Sequence, residues 1–181
     1  MTKLRLMTAV FTAVCVLILG EEVFPQENYQ VRYTAEFSMD DFSFDRVMGY
    51  DMVWLKEGGH LAEPGKPMLP SREIRISLPS GMQVTGLQVV NTTWEEIPGE
   101  FGILPSQPPR RIGLWDDNID FVQPDPRIYS STQPYPADVV EYLHQTDLAG
   151  QGMAVVRLYP LQYVPPQKRL TLYTSISFAI L

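Results

Sequence analysis

Residues 153–164, Met-Ala-Val-Val-Arg-Leu-Tyr-Pro-Leu-Gln-Tyr-Val, lead through Pro165-Pro166-Gln167-Lys168 into Leu170-Thr171-Leu172-Tyr173-Thr174-Ser175-Ile176-Ser177-Phe178-Ala179-Ile180. In the second half, Leu170, Leu172, Ile176, Phe178 and Ile180 alternate with Thr171, Ser175 and Ser177. Period two with one apolar face is the mark of a half-buried strand. The first half is apolar on both faces, which predicts a central strand, and the prolines with Gln167-Lys168 supply the turn. The chain therefore closes on a β-hairpin.

The same alternation recurs upstream. Tyr29, Val31, Tyr33, Ala35 and Phe37 alternate with Gln30, Arg32, Thr34, Glu36 and Ser38. Ile74, Ile76 and Leu78 alternate with Glu73, Arg75 and Ser77, and Pro79-Ser80-Gly81 turns the chain. Met82 and Val84 then face one way and Leu87 and Val89 the other, so a bulge is expected at Gly86. Residues 136–144 fit a helix opened by Pro136, with Val139 and Leu143 four apart, or a strand. The β-branched Val139-Val140 and aromatic Tyr142 favour the strand. Sixteen prolines, frequent between Pro64 and Pro166, exclude a helical bundle. The prediction is an all-β, antiparallel β-sandwich of about 8–10 strands with long loops, notably 56–69 and 106–133. Long ordered loops on a sandwich tend to be functional.

With 181 residues, 45% hydrophobic and 19% charged, the chain has the material for about one packed domain. A net charge of −7 opposes binding to phosphate backbones and argues against a nucleic-acid partner. One cysteine, Cys15, and two histidines, His60 and His144, exclude a Cys/His zinc site, a disulfide framework and a cysteine nucleophile in the body of the domain. No motif points to a cofactor.

Lys3 and Arg5 precede an apolar run over 6–19, closed by Gly20 before Glu21-Glu22. This is the layout of a secretory signal peptide, with Ile18 and Gly20 at −3 and −1 of the cut. The run is shorter than a spanning helix needs, so no stable membrane span is expected; an uncleaved anchor is the alternative. Val14 before Cys15 is too large for a lipoprotein signal. The expected organisation is a signal peptide at 1–20, a linker at 21–28 and one domain at 29–181. Cleavage removes Lys3 and Arg5 from the 14 basic residues and none of the 21 acidic ones, leaving a net charge of −9 and no cysteine.

Several residues carry chemistry. Asp116, Asn118 and Asp120 have the spacing of a calcium loop. However, Phe121 stands where glycine is needed and Arg127 where the bidentate glutamate belongs, which favours a solvated acidic turn. Arg110, Arg111 and Arg127 lie in the 106–133 loop, where they are solvated charges, a cation offered to another protein or a processing site. Asn91-Thr92-Thr93 matches a glycosylation acceptor. His60 and His144 have no serine or acid tied to them by a motif. Trp54, Trp94 and Trp115 suit a sugar-binding face, although core packing is the commoner fate of tryptophan in a sandwich.

Two stretches carry a resemblance. One is Gly65-Lys66-Pro67-Met68-Leu69-Pro70 with Ile74-Arg75-Ile76-Ser77-Leu78-Pro79-Ser80-Gly81; the other is Gly152 to Pro165, with Pro160, Gln162, Tyr163 and Pro165 at its end, followed by Leu170-Thr171-Leu172-Tyr173. In that order, behind a signal peptide, they resemble the propeptide domain of gingipain-type (C25 family) cysteine peptidases, from about residue 29 onward. The resemblance implies an all-β prodomain that assists folding of a secreted endopeptidase and silences it by laying a loop across the cleft. Its partners are then the cognate C25-like catalytic domain, normally in the same precursor, and an activating protease. Pro67 and Pro70 are expected to set an extended backbone with Leu69 in the core. If the enzyme cuts after a basic residue, Arg127, Arg110 and Arg111 are the plug candidates. Pro108-Pro109 and Pro124/Pro126 stiffen their surroundings, and Arg127, beside Ile128-Tyr129, is slightly favoured. The family's catalytic Cys/His pair is absent. The chain is thus expected to be a truncated reading frame, an excised domain or a free-standing prodomain rather than an enzyme. A secreted β-sandwich module binding glycan or protein is the alternative, which a downstream protease domain or a sugar titration of tryptophan fluorescence would separate.

Overall fold

The computed structural model describes residues 30–109 and 120–181. Ten strands run in chain order: β1 (Val31–Glu36), β2 (Phe42–Val47), β3 (Tyr50–Leu55), β4 (Gly59–His60), β5 (Pro70–Ser77), β6 (Leu87–Ile97), β7 (Val140–Leu148), β8 (Gln151–Leu158), β9 (Leu161–Val164) and β10 (Arg169–Ile180). A single helical turn, α1 (Pro126–Tyr129), precedes β7. The ladders between them are antiparallel, so the all-β sandwich reading holds.

One four-stranded sheet is built around β10. β6 pairs along one of its edges from Leu170↔Ile97 to Ile180↔Leu87; β1 (opposite 175–180) and β9 (opposite 169–172) share the other. The second sheet has the order β4-β5-β8-β7, and β2-β3 is a separate hairpin. The core is a single cluster of apolar side chains from both sheets. Leu170, Leu172, Ile176, Phe178 and Ile180 of β10 meet Ile76 of β5, Ala154, Val156 and Leu158 of β8, and Val53 of the hairpin. The alternation read from the sequence is thus the inward face of β10.

The expected single central strand over 153–164 is two strands in two sheets. β8 lies between β5 and β7, whereas β9 pairs with β10. The break falls at Tyr159-Pro160, because proline has no N–H to offer a ladder. There the Tyr159 amide donates to the Val139 carbonyl (2.9 Å) and the Pro160 carbonyl accepts from Tyr173 (2.8 Å). Both pieces carry apolar side chains on both faces because both are interior: Ala154, Val155, Val156 and Leu158 of β8 and Leu161, Tyr163 and Val164 of β9 are buried. Residues 136–144 are not a helix; the strand starts at Val140 and runs to Leu148.

The bulge expected at Gly86 stands just before β6: the Thr85 and Gly86 amides both donate to the Leu181 carbonyl (2.6 and 3.3 Å), two residues opposite one, and Leu181 donates back to the Gly86 carbonyl (2.9 Å). Before it, Gln145 takes the ladder's place: its side chain accepts from the Val84 amide and donates to the Met82 carbonyl (both 3.1 Å). Further irregularities fall at Thr174 and Val90 in the β10–β6 ladder and at Leu143 in β7. Core packing is not the fate of Trp54 and Trp94, which are exposed. Trp54 lies on the opposite phase from buried Val53 and Leu55, edge-on to His60 at 4.5 Å, and Trp94 faces Tyr173 across the β6–β10 ladder.

The expected signal peptide at 1–20 and linker at 21–28 lie outside the described residues. Among the described residues, no helix is long and apolar enough to cross a membrane.

Candidate functional site

The two limbs of the 106–133 loop leave and rejoin the body through one hydrogen-bonded bracket. On the outgoing side, residues 102–106 are gripped from two directions. The Asp51 amide donates to the Gly102 carbonyl (2.8 Å), its carbonyl accepts from Leu104 (3.0 Å), and its carboxylate accepts from the Gly102 amide (2.7 Å). From the other side, Met68 donates to Leu104 (2.8 Å), Ser106 donates to Lys66 (2.7 Å) and Gly65 donates to Ser106 (2.9 Å). Ser106 and the residues before it back to Ile103 are buried, so the limb is fixed up to the point where it departs.

Gly65 also receives the returning limb, since its carbonyl accepts the Asp125 amide (2.8 Å). A glycine is required there. Its φ is +84°, and an added Cβ would stand 3.3 Å from the Gln123 carbonyl oxygen. One level higher, the Gln107 side chain accepts from the Val122 amide (2.9 Å) and donates to the Val122 and Pro105 carbonyls (3.0 and 2.9 Å). Phe121 stacks on Tyr50 with ring centroids 6.0 Å apart. Below, the Tyr129 hydroxyl donates to the Ile103 carbonyl (2.8 Å), and its burial raises its pKa well above that of free tyrosine.

α1 follows from local sequence. Asp125 caps it by accepting from the Arg127 amide (2.9 Å), and Pro126 takes the first helical position, where its missing N–H costs nothing. The same carboxylate holds the Arg127 guanidinium through Nε (3.3 Å) and Nη2 (3.1 Å). These contacts lower the Asp125 pKa, chiefly through the side-chain hydrogen bond from Arg127, and raise that of Arg127. The arginine nevertheless stands 90% exposed, while Asp125 is 20% exposed.

The residues singled out from the sequence divide into groups. Gly65, Pro67, Leu69 and Pro70 converge on the loop stem; Pro67 and Leu69 are fully buried, and Pro67 bridges Pro105. Tyr163 joins them, its hydroxyl donating to the Phe101 carbonyl (2.7 Å). Gln162 is buried, donating to the Pro136 and Ala137 carbonyls (2.8 and 3.2 Å) and accepting from Tyr173 (2.7 Å). Pro160 marks the strand break and Pro165 opens the hairpin turn. Pro79 and Gly81 lie beyond the far end of β5, where Met82 donates to Pro79 (3.1 Å) and Gly81 has φ +78°. Arg110, Arg111, Asp116, Asn118 and Trp115 lie outside the described residues; Asp120 is exposed. Asn91 is exposed on β6, as is His144 on β7, while the His60 ring contacts the Val53 carbonyl at 2.8 Å. The sequence reading missed Gln107, which has no local signature, and Asp125, which had one: an acidic cap directly before proline.

The family model Propeptide_C25 matches residues 25–181. No curated protein matches the chain. Solved structures that share the fold include the following two. The first is a complex of the pro- and mature domains of RgpB from Porphyromonas gingivalis. It has 22% identity and a TM-score of 0.70, with 83% of this chain and 78% of that chain covered. The second comes from a study of the zymogenic latency of gingipain K from Porphyromonas gingivalis. It has 18% identity and a TM-score of 0.65, with 86% of this chain and 87% of that chain covered.

Proposed function

Since the chain belongs to the C25 peptidase propeptide family and is a pro-region rather than a catalytic domain, we propose that it keeps a gingipain-like cysteine endopeptidase latent by laying the 106–133 loop across the active-site cleft, and that it assists that enzyme's folding. The observation that carries this reading is the stem: both limbs are anchored to Gly65 and its neighbours, so the loop is presented from a rigid base. Presentation from a rigid base lowers the ordering cost of binding. A tethered inhibitor also works at high effective concentration, so modest contacts fill the cleft until proteolysis cuts the tether. The family match favours this reading over a glycan-binding module.

In this reading residues 1–20 are a signal peptide, 21–28 a linker and 29–181 the prodomain of an exported precursor, later cut by an activating protease. Arg127 is the first candidate for the plug, because α1 presents it exposed with Asp125 fixing its direction. Entry into an acidic specificity pocket exchanges one carboxylate partner for another. Arg110 and Arg111 are the alternatives.

The domain is added in trans to the catalytic domain of its precursor, and the inhibition constant is measured for the parent and for each Arg→Ala variant. One arginine variant should weaken inhibition tenfold or more, about 1.4 kcal/mol. Equal inhibition by all three variants places the plug elsewhere, and no inhibition by the parent rejects the reading. Export is checked separately by N-terminal sequencing from a secreting host; a chain still starting at Met1 and pelleting with membranes rejects cleavage.

A further inference from the structure

The loop limbs are poor in backbone donors where they approach one another. Pro105, Pro108 and Pro109 on the outgoing limb and Pro124 and Pro126 on the returning one have no N–H. A β-ladder therefore cannot zip the two limbs together, and a side chain takes over. Oε1 of Gln107 accepts the Val122 amide proton, and Nε2 donates to both the Val122 and the Pro105 carbonyls. Val122 thus meets a donor and an acceptor on one residue, as it would opposite a strand partner in an antiparallel pair. Among the described residues the two bonds between Gln107 and Val122 are the hydrogen bonds that join 105–109 directly to 120–123. Gln107 and Val122 are both half-buried, so water competes for these contacts less than it would on an open surface.

We propose that Gln107 is a positioning residue for inhibition: its amide clamps residues 105–109 to residues 120–123, so that the two limbs are fixed to one another before the protease is met. The proposal rests on the reading that this loop enters the cleft. Fixing the limbs in advance removes part of the entropy that binding would otherwise cost. The amide is needed rather than the bulk of the side chain. Glutamate has the same size and keeps an acceptor for the Val122 amide, but it turns a carboxylate without donors toward two carbonyls. Methionine keeps the volume and loses every polar contact.

The experiment compares the parent domain with Gln107→Glu and Gln107→Met as inhibitors in trans, with the melting temperature and the hydrogen exchange of the Val122 amide measured on the same samples. Both variants should inhibit at least tenfold more weakly while melting as the parent does, and Gln107→Met should exchange faster at Val122. A residue that merely fills space would leave Gln107→Glu equal to the parent, and that result overturns the proposal. So does faster exchange at Val122 with an unchanged inhibition constant; in that case the loop-in-cleft reading stands and only the clamp falls. A parent that does not inhibit removes both.

Discussion

Gly65 carries more of the site than its size suggests, because its amide holds one limb of the loop and its carbonyl the other. Gly65→Ala forces a side chain into φ +84° and against the Gln123 carbonyl, which costs about 1–2 kcal/mol. The variant should melt lower and inhibit less well; unchanged melting would mean that the stem adapts. Leu69, four residues on and fully buried, sets a larger scale: Leu69→Ala should cost about 2–5 kcal/mol by chemical denaturation. Leu69→Asp should be worse, since it strands an unpaired charge in the core. Asp125 makes the stem pH-sensitive in one direction. Its carboxyl is held below the ordinary value of 3.8 by Arg127, so the cap's contribution is complete above that ordinary value and fades as pH falls through the lowered one. The Arg127 amide resonance should therefore be constant near neutrality and titrate with a midpoint below 3.8. A midpoint at the ordinary carboxylate value would mean that the cap is absent.

Glutamine side chains substitute for missing ladder bonds between elements at several points: Gln107 across the loop limbs, Gln145 beside residues 82–84, and Gln162 between β9 and residues 136–137. Gln162→Leu leaves two carbonyls and the Tyr173 hydroxyl without their partner and should cost about 1–3 kcal/mol; a melting curve matching the parent would show that water replaces it. The sequence shows none of these contacts, since a glutamine that bonds a distant backbone reads the same as one in solvent. The alternation from Leu170 to Ile180 was legible because it is local and period two reports one buried face. The split at Tyr159-Pro160 was not, because a strand buried on both faces and two buried strands in different sheets have the same apolar pattern. Bulges at Thr174, Val90 and Leu143 likewise lack the glycine that drew attention to Gly86. The Gly65–Pro70 motif was legible as a feature of the family, but its role as the bracket of the loop required the 102–106 and 125 contacts that only the fold supplies.

The whole molecule relies on its core rather than on cross-links. With Cys15 the single cysteine, no intramolecular disulfide can form, and the melting temperature should be the same with and without a thiol reductant. A reductant-dependent transition would point to a disulfide between chains. What unifies the core is β10, which supplies the shared neighbour of β1, β6 and β9. It is also the last of the ten strands to be made. A ribosome delivers the chain amino end first, so β1 and β6 leave the tunnel with no ladder to join and must wait until residue 180 has been added. Their open edges can meanwhile be met only by other chains. The closure then spans nearly the full sequence, from Val31 to Ile180, and contacts of that separation form slowly. The sheet around β10 is therefore completed late, after the β2-β3 hairpin and the β4-β5-β8-β7 strands have been made, and until then β1 and β6 are a hazard of the nascent chain.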